Sequence, residues 1–226
     1  MSHITRRTSA LAGLTLGPLW ITVVAVVTWL EWDYLHSLGW GLVTNNEVPD
    51  PSATARGDYG FLMMANFAVA GILAAVFAVG FRREFRRKIS GAVATVGFGL
   101  FTLGMLLNVG QTDLGDEPLT WHGTMHDIGF VMTLLSMAIA FSASGLALRD
   151  NPDWRGWRLL GWTPVPMVLF AFTGAGLPGD SGFYLFLTVG FGWYAVMGAR
   201  MLALDRSVSE PRIASAVPNT AAPGLL

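Results

Sequence analysis

One short segment carries the residue types that acid–base or metal chemistry requires. Residues 121–127 read Trp-His-Gly-Thr-Met-His-Asp, so His122 and His126 are four apart and Asp127 follows directly. Side chains four apart share one face of a helix, about one turn from each other, a spacing that suits metal binding or proton transfer. The alternative is a set of interfacial polar residues in which Thr120 caps the helix. Two histidines and an aspartate in one short segment favour the functional interpretation.

An acidic pair near the end of the first apolar stretch is the second candidate. If that helix starts near Gly17, Glu31 lies about fourteen residues, or ~21 Å, along it and below the outer membrane interface. Carboxylates at that depth are costly and usually face a protein interior or a water-filled cavity, so Glu31 is a candidate catalytic group. Asp33 lies on a widely separated side of the helix. A helix that starts nearer Ala10 would instead place both carboxyl groups at the lipid headgroups, within an aromatic belt.

Histidine and carboxyl groups at one depth form a proton-transfer system near neutral pH. The ordinary pKa of histidine is about 6.5, and burial raises the pKa of a carboxyl group, so either group can act as acid or base. In this hypothesis His122 or His126 is one partner and Glu31 is the other. Asp113 or Asp127 orients an imidazole. Such a pair suits isomerisation, cyclisation or hydration.

Other polar and aromatic residues are predicted at the same level, and we expect them to bind the substrate. They are Trp32, Asp33, Tyr34, Asp58, Asn66, Asn108, Gln111 and Trp121. The aromatic rings among them can stabilise a developing positive charge. For Asn66 and Asn108, hydrogen bonding between helices is the alternative role.

The elements that must position these residues are membrane helices. With 53% hydrophobic and 13% charged residues and a mean hydropathy of +0.51, the chain is too apolar for a soluble domain of 226 residues. Runs of roughly 20 apolar residues, enough to cross a ~30 Å hydrocarbon layer, predict an all-α integral membrane bundle of six transmembrane helices. The runs cover residues 17–38, 59–81, 89–110, 124–148, 159–176 and 181–204.

Charge in the loops orients this bundle. Of the fourteen lysines and arginines, only Arg56 falls in a loop that alternating topology places outside the cell. Cationic loops stay in the cytoplasm, so both termini are predicted to be cytoplasmic in a protein of the cell membrane. The outer loops are acidic, which does not attract nucleic acid. The predicted organisation is a cytoplasmic segment, a six-helix membrane domain and a disordered tail, over residues 1–16, 17–204 and 205–226.

The chain resembles a known bacterial membrane family. The resemblance rests on the six-helix pattern, on Gln111-Thr112-Asp113 and on Trp121-His122-Gly123-x-x-His126-Asp127, and it covers about residues 17–204. That family, common in actinobacteria, is known only as a domain of unknown function. The resemblance implies the six-helix fold and marks the first aspartate and the two histidines as signature residues. It implies no reaction.

Three functions stay open on the residues alone. The leading hypothesis is a membrane-embedded enzyme that acts, without a cofactor, on a lipophilic small molecule in a cavity near the outer face. A second hypothesis places a divalent metal on His122, His126 and a carboxylate, which would activate water for hydrolysis. The chain has no cysteine, so a thiolate ligand or nucleophile is excluded. The third hypothesis is a non-catalytic transporter, sensor or accessory subunit, and the oligomeric state does not follow from the sequence.

Overall fold

Seven α-helices make up most of the chain that the structure describes. The structure is a computed structural model, and it describes residues 5–41, 51–115, 117–149, 151–173 and 181–209. No strand occurs in those ranges, which confirms the all-α prediction. The helices are α1 (Arg6–Leu30), α2 (Trp32–Ser37), α3 (Gly60–Glu84), α4 (Ile89–Leu107), α5 (Trp121–Arg149), α6 (Pro164–Thr173) and α7 (Ser181–Ser209). Short 3-10 turns cover Ser52–Arg56, Pro152–Trp154 and Arg158–Gly161. Most of the predicted tail, residues 210–226, lies outside the described residues.

Five of the described helices are long and apolar enough to cross a membrane, namely α1, α3, α4, α5 and the Ser181–Asp205 part of α7. The remaining predicted span, residues 159–176, holds a 3-10 turn followed by α6, whose ten residues extend only ~15 Å. Pro164 is the first residue of α6, because proline has no N–H to bond to a preceding turn and its ring fixes a helical φ. The described part of this span is therefore a short helix that starts at a proline, and residues 174–180 lie outside the described residues.

Helix α1 starts at Arg6 rather than near residue 17. The Thr5 side chain caps it by accepting a hydrogen bond from the Thr8 amide at 3.0 Å. Serine and threonine lower the hydropathy of the first turns, so the apolar run used for the prediction did not include those turns. Glu31 then lies ~38 Å along the axis, beyond a ~30 Å hydrocarbon core, and α1 breaks there. Glu31 is nevertheless only 4% exposed. Its burial is therefore due to the surrounding protein and not to its depth in the membrane.

The two ends of the bundle differ in charge. At the basic end, where α1 starts and α3 stops, Arg6 pairs with Glu84 at 2.7 Å. Lys88 at the start of α4 donates to the Ala147 carbonyl near the end of α5 at 3.1 Å. Gly198, near the end of α7, packs against the start of α1. The end of α1, the starts of α3 and α5 and the end of α4 meet at the opposite end, which we call the polar end.

Aromatic side chains fill the centre of the bundle. Phe77, Phe98, Phe141 and Tyr194 are all 0% exposed. The rings of Phe77 and Phe98 meet edge to face at 5.4 Å, a favourable arrangement for aromatic pairs. These residues serve packing, and the polar chemistry lies away from them.

Glycines let helix backbones approach where a side chain would not fit. On α4, a Cβ placed on Gly97 would lie 2.9 Å from the Ala140 amide nitrogen of α5, whereas one on Gly99 would meet nothing within 4 Å. On α1, Gly13 and Gly17 are four apart and share a face. A Cβ on Gly17 would overlap the Phe191 carbonyl of α7. Small residues four apart are a common means of close helix packing in membranes.

Candidate functional site

His126 lies within the polar end, and its neighbours fix its tautomer. The side chain is 3% exposed. Nδ1 lies 2.7 Å from the Gly110 carbonyl oxygen and 3.1 Å from the Asn108 carbonyl oxygen. Because carbonyl oxygens only accept hydrogen bonds, Nδ1 carries the hydrogen. In the neutral imidazole, Nε2 is therefore the acceptor nitrogen.

Ser52 supplies the hydrogen bond that Nε2 accepts. Its hydroxyl oxygen lies 2.8 Å from His126 Nε2, and it is the first residue of the 3-10 turn Ser52–Arg56. The Thr54 hydroxyl holds this turn by donating to the Pro51 carbonyl at 2.6 Å. Ser52 is partly exposed, so its hydroxyl lies between a buried base nitrogen and the surface.

Asp113 and His122 are joined through Thr120 rather than directly. The Asp113 carboxylate accepts from the Thr120 amide at 2.7 Å and from its hydroxyl at 2.8 Å. These two hydrogen bonds lower the pKa of Asp113. Thr120 Oγ1 also accepts from the Gly123 amide at 3.0 Å, which caps α5, and it lies 2.7 Å from His122 Nδ1. Since the hydroxyl proton goes to the carboxylate, His122 Nδ1 is the donor and its Nε2 is the acceptor nitrogen.

Glu31 holds the loop that enters α3. Its Oε1 accepts from the Tyr59 amide at 2.5 Å, and a Cβ placed on Gly57 would overlap its carboxylate. Ser52 lies five residues before Gly57, or ~10 Å at the ~2.0 Å rise of a 3-10 turn. Glu31 and His126 are therefore bound to opposite ends of one segment, and the hydrogen bonds described for the two side chains go to different partners.

Arg56 and Glu117 form a bidentate ion pair at the polar end. Arg56 Nη1 and Nη2 donate to the two carboxylate oxygens of Glu117, the second at 3.1 Å. This pairing lowers the pKa of Glu117. Tyr34 is close by, where burial raises the pKa of its phenol and the charge of Arg56 opposes that rise. Arg56, the basic residue predicted on the outer side, is thus neutralised.

Three predicted substrate-binding amides link backbone segments. Asn66 Nδ2 donates to the Trp20 carbonyl at 3.4 Å, and Asn108 Nδ2 donates to Thr133 Oγ1 at 3.3 Å. Gln111 Nε2 donates to the Ala55 carbonyl within the 3-10 turn at 3.0 Å. Among the residues that the structure describes, the side-chain oxygens of the two asparagines are buried and have no hydrogen-bond partner. All three amides therefore join neighbouring segments.

The other predicted residues lie at the periphery of the polar end. The side chains of Asp33, Asp58 and Asp127 are exposed, as are Trp32 at 46% and Trp121 at 71%. The exposed tryptophans match an aromatic belt at a membrane interface.

Sequence reasoning missed Ser52 and the partner of Arg56. Ser52 is seventy-four positions from His126, and Arg56 is sixty-one positions from Glu117. No periodicity connects residues so far apart, and a lone serine in a loop carries no signal by itself. Thr120 was visible as a candidate cap because it directly precedes the histidine segment.

A ligand set for a metal ion is the other arrangement that the histidines suggested. Within the described ranges, no three histidine, cysteine, aspartate or glutamate side chains converge on a point that could hold a metal ion. The Nδ1 atoms of His122 and His126 bind different partners. The metal-dependent hypothesis thus has no three-ligand set in this part of the chain.

The helices and the polar end together define a class of protein. Five apolar helices of membrane-spanning length make this a helical multi-pass membrane protein. The family described as "Protein of unknown function (DUF998)" matches residues 11–201, and the chain belongs to that family. Neither the curated proteins nor the solved structures compared with the chain provide a match.

Proposed function

We propose that this protein is an enzyme of the cell membrane that performs acid–base chemistry on a lipophilic small molecule at the polar end. The observation that carries the proposal is the His126 imidazole. It is buried, and its Nδ1–H donates hydrogen bonds to backbone carbonyls. Nε2 is therefore the nitrogen that can accept a proton. A positioned base of this kind contributes about 10²- to 10⁴-fold to a reaction rate.

His122 supports the proposal as a second proton carrier. It lies one turn from His126 on α5, or ~6 Å along the axis. The Asp113–Thr120 hydrogen bonds orient its ring, and it is partly exposed. One imidazole can accept a proton while the other donates one, as isomerisation, cyclisation and hydration require. Asp113, His122 and His126 are, in this proposed function, the signature residues of the family.

The proposed topology has six spans, with both termini in the cytoplasm and the polar end outside. The start of α1 and the end of α7 lie at the basic end. Arginine and lysine side chains gather at that end, and cationic loops stay in the cytoplasm. They are Arg6, Arg82, Arg83, Arg86, Arg87, Lys88, Arg149, Arg155, Arg158 and Arg200.

Single cysteines test this topology, because the chain has none of its own. Ser37→Cys at the polar end and Asp153→Cys near the basic end both replace exposed residues. In intact cells, a membrane-impermeant maleimide is expected to label the first variant and not the second. After the cells are opened, both should react. Labelling of Asp153→Cys alone in intact cells would reverse the orientation.

A comparison of lipophilic extracts tests the function. Membranes with the wild-type protein are expected to lose at least one lipophilic compound and gain another, relative to membranes with the double variant His122→Asn/His126→Asn. The two proteins should be present in equal amounts. Identical extracts would favour a transporter, sensor or accessory subunit. Turnover that stops on chelation and returns with zinc would instead favour the metal-dependent hydrolase.

A further inference from the structure

The hydrogen bonds at His126 connect a serine hydroxyl, an imidazole and an acceptor oxygen, in the same order as in the active site of a serine hydrolase. The Ser52 hydroxyl donates to Nε2 at 2.8 Å, and Nδ1 donates to the Gly110 carbonyl at 2.7 Å. Hydrolases with a serine nucleophile use the same sequence of hydroxyl, imidazole and orienting acceptor. Here backbone carbonyls take the place that a carboxylate has in the usual triad. They fix the tautomer, but they stabilise an imidazolium ion less than a carboxylate does.

We propose that Ser52 is the nucleophile of an acyl-transfer reaction on a lipid carboxylic ester. This inference rests on the proposed function, because His126 is the same base, and it names acyl transfer as the reaction class instead of isomerisation, cyclisation or hydration. The contact also distinguishes Ser52 from three other described serines. The hydroxyls of Ser37, Ser136 and Ser144 donate to backbone carbonyls, which cannot take up a proton.

The reaction balances with the ester and water as the only reactants. Ser52 Oγ forms a bond to the ester carbonyl carbon while its proton moves to His126 Nε2. The tetrahedral intermediate then expels the alcohol, which takes that proton, and an acyl-serine remains. Water attacks the acyl carbon and gives one proton to Nε2. Release of the carboxylic acid returns this proton to Ser52 Oγ.

The position of Ser52 argues for a lipid ester as the substrate. Large apolar side chains are exposed around the polar end, among them Phe61 at 62%, Leu119 at 80% and Trp121 at 71%. Exposed aromatic rings of this kind lie at the membrane–water interface. The ester carbonyls of bilayer lipids lie at that same level, with the acyl chains in the hydrocarbon layer. A nucleophile there reaches the ester without extracting the lipid.

A fluorophosphonate with an alkyl chain tests the nucleophile directly in the full-length protein in lipid nanodiscs. Ser52 Oγ should displace fluoride from phosphorus, with its proton taken by His126, and mass spectrometry should place the adduct on Ser52. Labelling is expected to be at least about 10²-fold slower in His126→Asn and absent at this position in Ser52→Ala. Ser37→Ala is the matched control and should label like the wild type. No adduct on Ser52, or equal rates in wild type and His126→Asn, would overturn the proposal.

Ser52→Cys provides a second measurement that does not depend on the alanine variant folding. Its thiol is unique in the chain, and a neighbouring imidazole lowers a thiol pKa. At pH 7, iodoacetamide should alkylate Ser52→Cys at least about 10-fold faster than Ser37→Cys, and His126→Asn should remove the difference. Equal rates in the two cysteine variants would contradict a base at Ser52.

The two proposals fail in different ways. If His126-dependent turnover persists in Ser52→Ala, the proposed acid–base function is retained and the assignment of Ser52 as the nucleophile is wrong. If neither a His126-dependent change in the extracts nor an adduct on Ser52 is found, both proposals fall.

Discussion

Replacing His126 with asparagine is expected to lower turnover by about 10²-fold or more, the usual effect of losing a general base. Asparagine places its Nδ2 near the position of histidine Nδ1, so a donor to the Gly110 carbonyl is kept. Nothing replaces Nε2, the atom that accepts from Ser52. The variant therefore removes the base while it keeps the hydrogen bond that joins α5 to the end of α4. The rate is measured on the lipophilic compound that the wild-type membranes consume.

Asp127→Asn is the matched control for this substitution. Asp127 is next to His126 in α5, but its side chain is exposed and its charge acts on the His126 ring from outside, so its replacement is expected to lower turnover much less than the about 10²-fold expected for losing the base. Full activity in a folded His126→Asn protein would remove His126 from the chemistry.

Replacing Gly198 with alanine is expected to destabilise the bundle by about 1–3 kcal/mol, the cost of forcing a methyl group into a packed interface. A Cβ at this position would overlap the Ala10 carbonyl oxygen and the Leu14 amide nitrogen of α1. Both are backbone atoms, so no side-chain rotation can relieve the overlap and the two helices must separate. Unfolding by titration with a denaturing detergent measures the change.

Gly192→Ala is the control on the same helix. A Cβ there would meet nothing within 4 Å, and the higher helix propensity of alanine is worth up to ~1 kcal/mol. This variant should be as stable as the wild type or slightly more so. Equal losses in the two variants would mean that α7 tolerates no added methyl group, whatever the contact with α1.

The acidic residues of the polar end position backbone segments. Glu31 packs where Gly57 has no side chain, and Asp113 packs in the same way against Gly123. In both cases a buried or half-buried carboxylate accepts a hydrogen bond from a backbone amide in the segment that leads into a helix. Such bonds satisfy a charge that would otherwise be costly to bury. Glu31 and Asp113 therefore hold backbone segments in place, and in the proposed function the proton acceptors are the two imidazoles.

The 3-10 turn Ser52–Arg56 is the element on which the site depends. Ser52 binds His126, the Ala55 carbonyl accepts from Gln111, and Arg56 pairs with Glu117. One short segment thus bonds to α5 and to the loop between α4 and α5. In the proposed function, a substrate that binds at the Ser52 hydroxyl meets an imidazole whose orientation is already fixed by its hydrogen bonds.

Composition and run length by themselves determined the class of this protein. Long apolar runs indicate helices that cross a membrane, so six such helices were predicted from residue types alone. Five helices among the described residues are long and apolar enough to do so. The pair His122 and His126 was visible because four residues make one helical turn. The cap at Thr120 followed from its place before that helix.

The tertiary structure alone decided what these residues contact. The start of α1 at Arg6 depends on the Thr5 cap and on packing against α7. The apolar pattern did not show this start, because threonine and serine lower the hydropathy of the first turns of α1. The partner of His126 was a serine seventy-four positions away, and the carboxylate predicted to oppose it bound a loop amide instead. Spacing along the chain predicts which residues are neighbours on one helix, because helical periodicity is local. Contacts between a loop and a helix depend on how the helices pack, and no local pattern encodes that.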